Sequence, residues 1–138
     1  MGRDTTIRRR SRRPTTPRFE SATVTELSRI GLLAELPGEQ LVKLGQKMRR
    51  ESVAPGAAVV QEGEGGDRFY VVLSGLLGVS QAAQGPRRVL RPGDYFGEVA
   101  LAMDVPRTAS VRALTPATVA SCDRQTFDEL VRPLFADD

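Results

Sequence analysis

An acidic and a basic side chain, Glu98 and Arg107, stand towards opposite ends of a short, largely apolar stretch, residues 96–111. Gly97 permits close approach of the backbone to a ligand, and residues 98–103 can form a helical turn whose free N–H groups face an anion. Arg107 can add a planar charged fork to the same anion, while Glu98 can accept a hydrogen bond from a hydroxyl. A ligand that carries one phosphate beside a sugar hydroxyl satisfies both groups.

The amino-acid composition limits what else the chain can do. At 138 residues and 40% hydrophobic, it is expected to form one domain with a modest core. It has a single cysteine, Cys122, and no histidine, which excludes an internal disulfide, a Cys/His zinc site and a His-dependent triad. We therefore predict a binding domain and not an enzyme, with no metal and no cofactor.

The apolar runs of the sequence are only a few residues long. They are too short for a membrane span, and the N-terminus lacks the apolar segment of a signal peptide. We expect a cytoplasmic protein, or a domain at the cytoplasmic face of a membrane protein.

The positive charge is concentrated at the N-terminus. The net charge is +3, but residues 1–20 carry seven arginines against two acidic residues, or +5, which leaves −2 for the remainder. Because this segment is rich in Pro, Thr and Arg and lacks apolar periodicity, residues 1–20 are predicted to form a disordered basic arm. The arm is a linker or, alternatively, a contact for RNA, DNA or anionic lipid. Its arginines are Arg3, Arg8, Arg9, Arg10, Arg12, Arg13 and Arg18.

Residues 21–50 show the apolar spacing of two helices. Thr23 and Glu26 have the spacing of a capping box, and Pro37 suits the first turn of the second helix. Arg49-Arg50 suits the C-terminal end of that helix. Each helix has one apolar face that is interpreted as a packing surface, formed by Leu27, Ile30 and Leu33 in the first and by Leu41, Leu44 and Met48 in the second.

Residues 51–123 show the pattern of short strands separated by turns. Turn-forming residues recur about every 8 to 12 positions, as in an all-β sandwich or jelly roll. A parallel βαβ fold needs a crossover of about a dozen residues between strands, and the one helix-length interruption here follows Gly97. Gly63, Gly66 and Gly75 are interpreted as turn positions. The predicted fold class is mainly β with flanking helices.

Residues 96–111 closely resemble the phosphate-binding cassette of the cyclic nucleotide-binding domain family, which includes transcription regulators, protein kinase A regulatory subunits and cyclic nucleotide-gated channels. Residues 53–63 and 66–75 are similar to the family's early strands, and the resemblance extends over about residues 24–132. It implies an eight-stranded β-roll, also described as a double-stranded β-helix or jelly roll. It further implies an N-terminal helical bundle, a cassette helix inside the roll and a C-terminal helix that relays occupancy.

The resemblance also assigns roles to individual residues. Arg107 matches the family's phosphate-binding arginine, and Glu98 matches the residue that accepts from the ribose 2′-hydroxyl. Backbone N–H groups of the cassette turn would face the phosphate or ribose, further donors would follow Arg107, and apolar strand residues would contact the purine. These residues are Gly97, Val99 and Ala100 in the turn, Thr108 and Ala109 after the arginine, and Val79 and Leu90 beside the purine.

The family's final helix usually supplies a residue that caps the purine. Residues 124–138 have apolar residues at helical spacing, but Pro133 interrupts them, so the predicted C-terminal helix is short. Thr108 stands where a hydroxyl often accompanies preference for cyclic GMP, although other members with threonine there respond to cyclic AMP. Cyclic AMP (cAMP) is the favoured ligand, and cyclic GMP (cGMP) is the alternative.

The resemblance implies allosteric regulation. Nucleotide binding would shift the equilibrium of a covalently linked or docked effector, such as a channel, transporter, kinase or hydrolase domain. We expect no DNA-binding domain in this chain and a monomer in isolation. Two alternatives stay open: a degenerate, nucleotide-free interaction module of the same fold, and nucleic-acid or anionic-lipid binding through the Arg-rich arm.

Overall fold

The structure, a computed structural model, describes residues 20–135. The predicted arm therefore lies outside the described residues, apart from Glu20, which begins the first strand. The strands are β1 (Glu20–Ser21), β2 (Arg49–Val53), β3 (Ala58–Val60), β4 (Arg68–Ser74), β5 (Leu77–Gln81), β6 (Gly85–Leu90), β7 (Tyr95–Phe96), β8 (Ser110–Ala113) and β9 (Ala117–Asp123). The helices are α1 (Val24–Ser28), α2 (Gly38–Lys47), α3 (Glu98–Met103) and α4 (Arg124–Thr126).

The strands form two antiparallel sheets. One has the order β1-β2-β9-β4-β7, and the other has the order β3-β8-β5-β6. The predicted eight-stranded roll is confirmed as β2 to β9, and the two-residue β1 adds a strand in front of it by pairing with β2. The single internal helix, α3, joins β7 to β8. The fold is mainly β with flanking helices, as predicted.

Strand β4 lies between two hydrophobic cores. Its side chains alternate in direction, as in any strand: Phe69 and Val71 join the core beneath the flanking helices, whereas Tyr70 and Val72 join the core inside the roll. β4 pairs with β9 along almost its full length. The β4–β9 pair therefore lies at the centre of the fold, where the flanking helices pack on one side and the core inside the roll on the other.

The capping box predicted at the first helix is present. The hydroxyl of Thr23 accepts from the backbone N–H of Glu26, and the Glu26 carboxylate accepts from the N–H of Thr23, each at 3.1 Å. The helix itself ends at Ser28, and a 3-10 turn follows at Leu33–Glu35. All the residues predicted for the two apolar faces are nonetheless buried: Leu27, Ile30, Leu33, Leu41, Leu44 and Met48.

The predicted end of the second helix is corrected by the structure. α2 ends at Lys47, Met48 is extended, and Arg49-Arg50 opens β2. The reason is tertiary: Arg49 and Arg50 pair with Ser121 and Ala120 of β9, so their backbone groups are satisfied by the sheet. The roll consequently begins two residues before the predicted boundary at 51.

The C-terminal segment is helical throughout residues 124–135, although its geometry changes along the way. α4 is followed by a π-helical turn, Phe127–Val131, and by a 3-10 turn, Arg132–Phe135. Pro133 therefore changes the type of helix instead of ending it, since it lies in the first part of a new turn, where a missing N–H costs little. We call residues 124–135 the C-terminal helical segment.

Candidate functional site

Gly97 begins the cassette with a backbone that other residues rarely adopt. Its φ is +96°, in the left-handed region. A Cβ at this position would lie 2.9 Å from both Nη1 of Arg107 and the carbonyl oxygen of Arg68. Glycine is thus required here by conformation and by space, and α3 starts directly after it.

Arg107 brings its guanidinium underneath this turn. The side chain is buried, with 7% of the residue exposed. Nη1 donates to the carbonyl oxygen of Gly97 at 3.2 Å, and Nη2 donates to the carbonyl oxygen of Arg68 at 2.9 Å. Each terminal nitrogen carries a second N–H, so the same guanidinium can also donate to an anion above the turn.

The backbone of Arg107 is fastened to the loop between β3 and β4. The N–H of Arg107 donates to the carbonyl oxygen of Glu64, and its own carbonyl accepts from the N–H of Gly63, both at 2.8 Å. The guanidinium also lies 5.8 Å from the centre of the Tyr70 ring, within range of a cation–π contact. These contacts hold both ends of the residue.

The site keeps a permanent positive charge. Burial lowers the pKa of Arg107, while Tyr70, Asp67 and Glu98 act in the opposite direction. An arginine remains protonated throughout the physiological pH range despite such a shift. The carboxylate of Glu98 therefore lies close enough to favour the charged form of the guanidinium.

All but one of the predicted site residues line one open cavity of about 140 Å³. They are Val79, Gly97, Glu98, Val99, Ala100, Arg107, Thr108 and Ala109. Lining residues that the sequence did not indicate as ligand contacts are Val60, Arg88, Tyr95, Phe96 and Val111. The cavity thus has a charged end at Arg107 and Glu98 and an apolar wall from the strands.

Leu90 is the exception among the predicted site residues. It is fully buried in the core inside the roll and does not line the cavity. Arg88, two residues earlier on the same strand, lines it instead and pairs directly with Val79 of β5. The apolar character of Leu90 suggested a purine contact, but Leu90 packs in the core inside the roll, and Arg88 is the residue of β6 that lines the cavity.

The arrangement suits recognition of an anion next to a hydroxyl. The cavity offers the positive charge of Arg107, the carboxylate of Glu98 and the backbone N–H groups at the start of α3.

Within residues 20–135, no cluster of His, Cys, Asp and Glu side chains is suited to hold a metal ion. In the same range, no helix has the length and apolar character needed to cross a membrane.

Comparison with known proteins identifies the family. The cyclic nucleotide-binding domain family matches residues 50–133. A cAMP-dependent protein kinase regulatory subunit from Yarrowia lipolytica is 40% identical over 110 residues, which cover 79% of this chain and 29% of that protein. The cGMP-dependent protein kinase egl-4 of Caenorhabditis briggsae is 33% identical over 120 residues, covering 83% and 16% respectively. The chain thus spans less than a third of the length of these relatives.

A solved structure agrees with this assignment. The regulatory domain of Toxoplasma gondii protein kinase A in complex with cAMP superimposes with a TM-score of 0.76 at 31% identity, covering 80% of this chain and 44% of the other. Its fold matches the roll and flanking helices described above. On the family match and these relatives, the chain belongs to the cyclic nucleotide-binding domain family.

Proposed function

We propose that this domain binds a cyclic nucleotide in the cavity at α3 and regulates a partner according to whether the cavity is occupied. The observation that carries the proposal is the convergence of Arg107, Glu98 and the start of α3 on one cavity. It is a binding function and not a catalytic one, since the described groups position a ligand and include no histidine or reactive thiol. The expected location is the cytoplasm.

Arg107 is proposed to hold the cyclic phosphate. Its guanidinium is planar, so two N–H groups can meet two phosphate oxygens side by side. The backbone N–H groups at the start of α3, from Gly97, Val99 and Ala100, would add further donors. Thr108 and Ala109 would contribute a backbone or hydroxyl donor as well. Burial strengthens these charge-assisted bonds because little water competes for them.

Glu98 is proposed to accept from the ribose 2′-hydroxyl. It is half-buried at the first position of α3, where the helix dipole stabilises a carboxylate. A carboxylate accepts but does not donate, so it prefers a sugar hydroxyl to a second phosphate. Together Arg107 and Glu98 would fix the orientation of the sugar-phosphate ring.

The favoured ligand is cAMP, which is supported by relatives named as cAMP-dependent regulatory subunits. A specific observation supports cGMP as the second candidate: Arg88 and Thr108 both line the cavity. Guanine presents two acceptors, O6 and N7, to which an arginine can donate together, whereas adenine presents an acceptor and a donor. The Thr108 hydroxyl can in turn meet the guanine amino group.

The proposed partner is a protein kinase chain, either docked or covalently linked. Relatives named as regulatory subunits or as a whole kinase support this choice over a channel or transporter. Regulation requires that the nucleotide bind the free and partner-bound forms with different affinity. In the complex, saturating nucleotide should change kinase activity, and an Arg107→Ala variant should not respond.

Calorimetric titration with cAMP and with cGMP tests the binding step. The wild-type chain should show saturable binding, Arg107→Ala should weaken it by roughly 100-fold or more, and the exposed Arg91→Ala control should bind like wild type. Saturable binding that Arg107→Ala leaves unchanged contradicts the site. No binding of either nucleotide at millimolar concentration would support the degenerate module instead.

The Arg-rich arm is tested separately. Deletion of residues 1–18 should leave nucleotide binding intact. If the arm binds nucleic acid or anionic lipid, the full chain should show a steep loss of that binding with added salt, and the deletion should abolish it.

A further inference from the structure

Gly66 lies directly against the guanidinium of Arg107. A Cβ at Gly66 would be 2.8 Å from both Cζ and Nε of Arg107 and 2.6 Å from the Cβ of Ala100. Carbon atoms that are not bonded to each other pack at about 3.5 to 4.0 Å. No side chain therefore fits at position 66 while Arg107 keeps its place.

The requirement for glycine at this position is spatial and not conformational. Gly63 and Gly75 have φ values of +90° and +83°, so their interpretation as turn positions agrees with the structure. Gly66 has no such positive φ. The turn interpretation therefore does not explain Gly66, whose missing side chain leaves room for an arginine that is distant in the sequence.

The loop that carries Gly66 is held from two sides. Nη2 of Arg124, in the C-terminal helical segment, donates to the carbonyl oxygen of Gly66 at 3.2 Å. Two positions earlier, the carbonyl oxygen of Glu64 accepts from the N–H of Arg107 at 2.8 Å. A methyl group added at position 66 would therefore displace its neighbours across the site, the flexible end of Arg107 and Ala100 of α3, more readily than the loop itself.

We propose that Gly66 is a positioning residue for ligand binding: its bare Cα sets the location of the Arg107 guanidinium, and thereby the position at which the phosphate of a cyclic nucleotide is captured. The inference rests on the proposed function, because it concerns the arginine assigned to the phosphate. Displacement by even about 1 Å weakens an arrangement that depends on two aligned hydrogen bonds.

The test compares Gly66→Ala with Gly65→Ala. Gly65 is the matched control, because a Cβ there meets nothing within 4 Å and its φ is not in the left-handed region. Both substitutions restrict the unfolded chain equally. Titration with cAMP should show affinity reduced about tenfold or more in Gly66→Ala and little changed in Gly65→Ala.

A spectroscopic measurement separates positioning from general damage to the fold. The Nε–H signal of Arg107 in a ¹H–¹⁵N spectrum, assigned by its loss in Arg107→Lys, should shift in Gly66→Ala and stay in place in Gly65→Ala. Unchanged affinity and an unchanged signal in Gly66→Ala would overturn the inference. Equal losses of affinity in both glycine variants would also overturn it.

A second background keeps the test decisive if Gly66→Ala folds poorly. Ala100→Gly removes the closest contact, so that the guanidinium of Arg107 becomes the nearest group to the methyl added in Ala100→Gly/Gly66→Ala. The double variant should bind cAMP about tenfold or more weakly than Ala100→Gly alone; equal affinity contradicts the inference. Failure of the wild-type chain to bind any cyclic nucleotide would instead overturn the proposed function.

Discussion

The guanidinium of Arg107 donates to the main-chain carbonyl of Arg68, 39 residues earlier in the chain, at 2.9 Å. The side chain of Arg68 in turn donates through Nε to the hydroxyl of Ser121 at 2.8 Å and through Nη2 to the carbonyl oxygen of Ser121 at 3.1 Å. The cassette arginine is thereby attached to the central β4–β9 pair. Its position is part of the fold even before a ligand binds.

Loss of Arg107 should therefore destabilise the protein without any ligand. Arg107→Ala removes the donors to the carbonyl oxygens of Gly97 and Arg68, and buried acceptors without partners cost roughly 1–3 kcal/mol. Chemical denaturation should show this decrease in the free energy of unfolding. Arg91→Ala, at an exposed position, should change it by no more than about 0.5 kcal/mol. An equal effect of both substitutions would contradict the structural role.

The role assigned to Glu98 can be tested with a modified ligand. Wild type should bind 2′-deoxy-cAMP about tenfold or more weakly than cAMP, since a hydrogen bond to a charged group is lost. Glu98→Ala should bind cAMP with a similar loss and should then distinguish the two ligands by no more than about twofold. Glu64→Ala, an exposed carboxylate in the neighbouring loop, should behave like wild type. Additive losses from the variant and the analogue would rule out contact between Glu98 and the hydroxyl.

Arg88 should influence the choice between guanine and adenine. Arg88→Ala is expected to lower the affinity for cGMP relative to that for cAMP by about fivefold or more, because a paired arginine–guanine contact is worth roughly 1–3 kcal/mol. The ratio of the two dissociation constants measures this effect. Arg87→Ala is the matched control, since Arg87 is the adjacent exposed arginine and does not line the cavity. An unchanged ratio in Arg88→Ala would remove the support that Arg88 gives to cGMP.

Cys122 offers a built-in probe of ligand binding. Its thiol is fully buried, and burial raises its pKa to about 12. It should therefore resist alkylation at pH 8 in the folded protein and react when the protein unfolds. Saturating cAMP should slow labelling of wild type because ligand stabilises the folded state, and it should not slow labelling of Arg107→Ala. Rapid labelling of folded wild type would contradict the burial of the thiol.

Asp123 should contribute stability that depends on pH. Its carboxylate accepts from the backbone N–H of Thr126 at 2.9 Å at the start of α4, and this bond lowers the pKa of Asp123. A carboxyl group whose pKa is lower in the folded state stabilises the fold above its unfolded pKa of about 3.9, and that contribution disappears as pH falls through the folded pKa.

The comparison with Asp123→Asn isolates this contribution, because asparagine can cap a helix but does not titrate. The difference in unfolding free energy between wild type and Asp123→Asn should be constant above about pH 5 and should change in favour of the variant at lower pH. Asp123→Ala should lose about 0.5–2 kcal/mol at neutral pH. A pH-independent difference between wild type and Asp123→Asn would contradict the shifted pKa.

Features that depend on residues close together in the chain were predictable. The Thr23–Glu26 capping box and the bounds of the cassette helix agree with the structure because helix starts are specified by side chains within one turn. The spacing of Glu98 and Arg107 within one cassette is similarly a local property. The family resemblance extended this reasoning to the eight-stranded roll.

Features that depend on strand pairing were not predictable in the same way. Arg49-Arg50 fits a helix end by charge, but pairing with β9 places it in a strand. Leu90 was expected beside the purine, but it is buried in the core inside the roll, and Arg88, for which no role was predicted, lines the cavity from the same strand. Propensity and charge act over a few residues, whereas register is set by partners tens of residues away.

The sequence by itself determined the mainly β class and the bounds of the cassette helix, since these follow from residue types at short spacing. The family resemblance added the proposed roles of Arg107 with an anion and of Glu98 with a hydroxyl. Only the tertiary structure decided what surrounds Arg107: the carbonyl oxygens of Gly97 and Arg68 and the bare Cα of Gly66. The reason is physical. A guanidinium can be buried only where hydrogen-bond acceptors and space are both available, and here segments far apart in the chain supply them together.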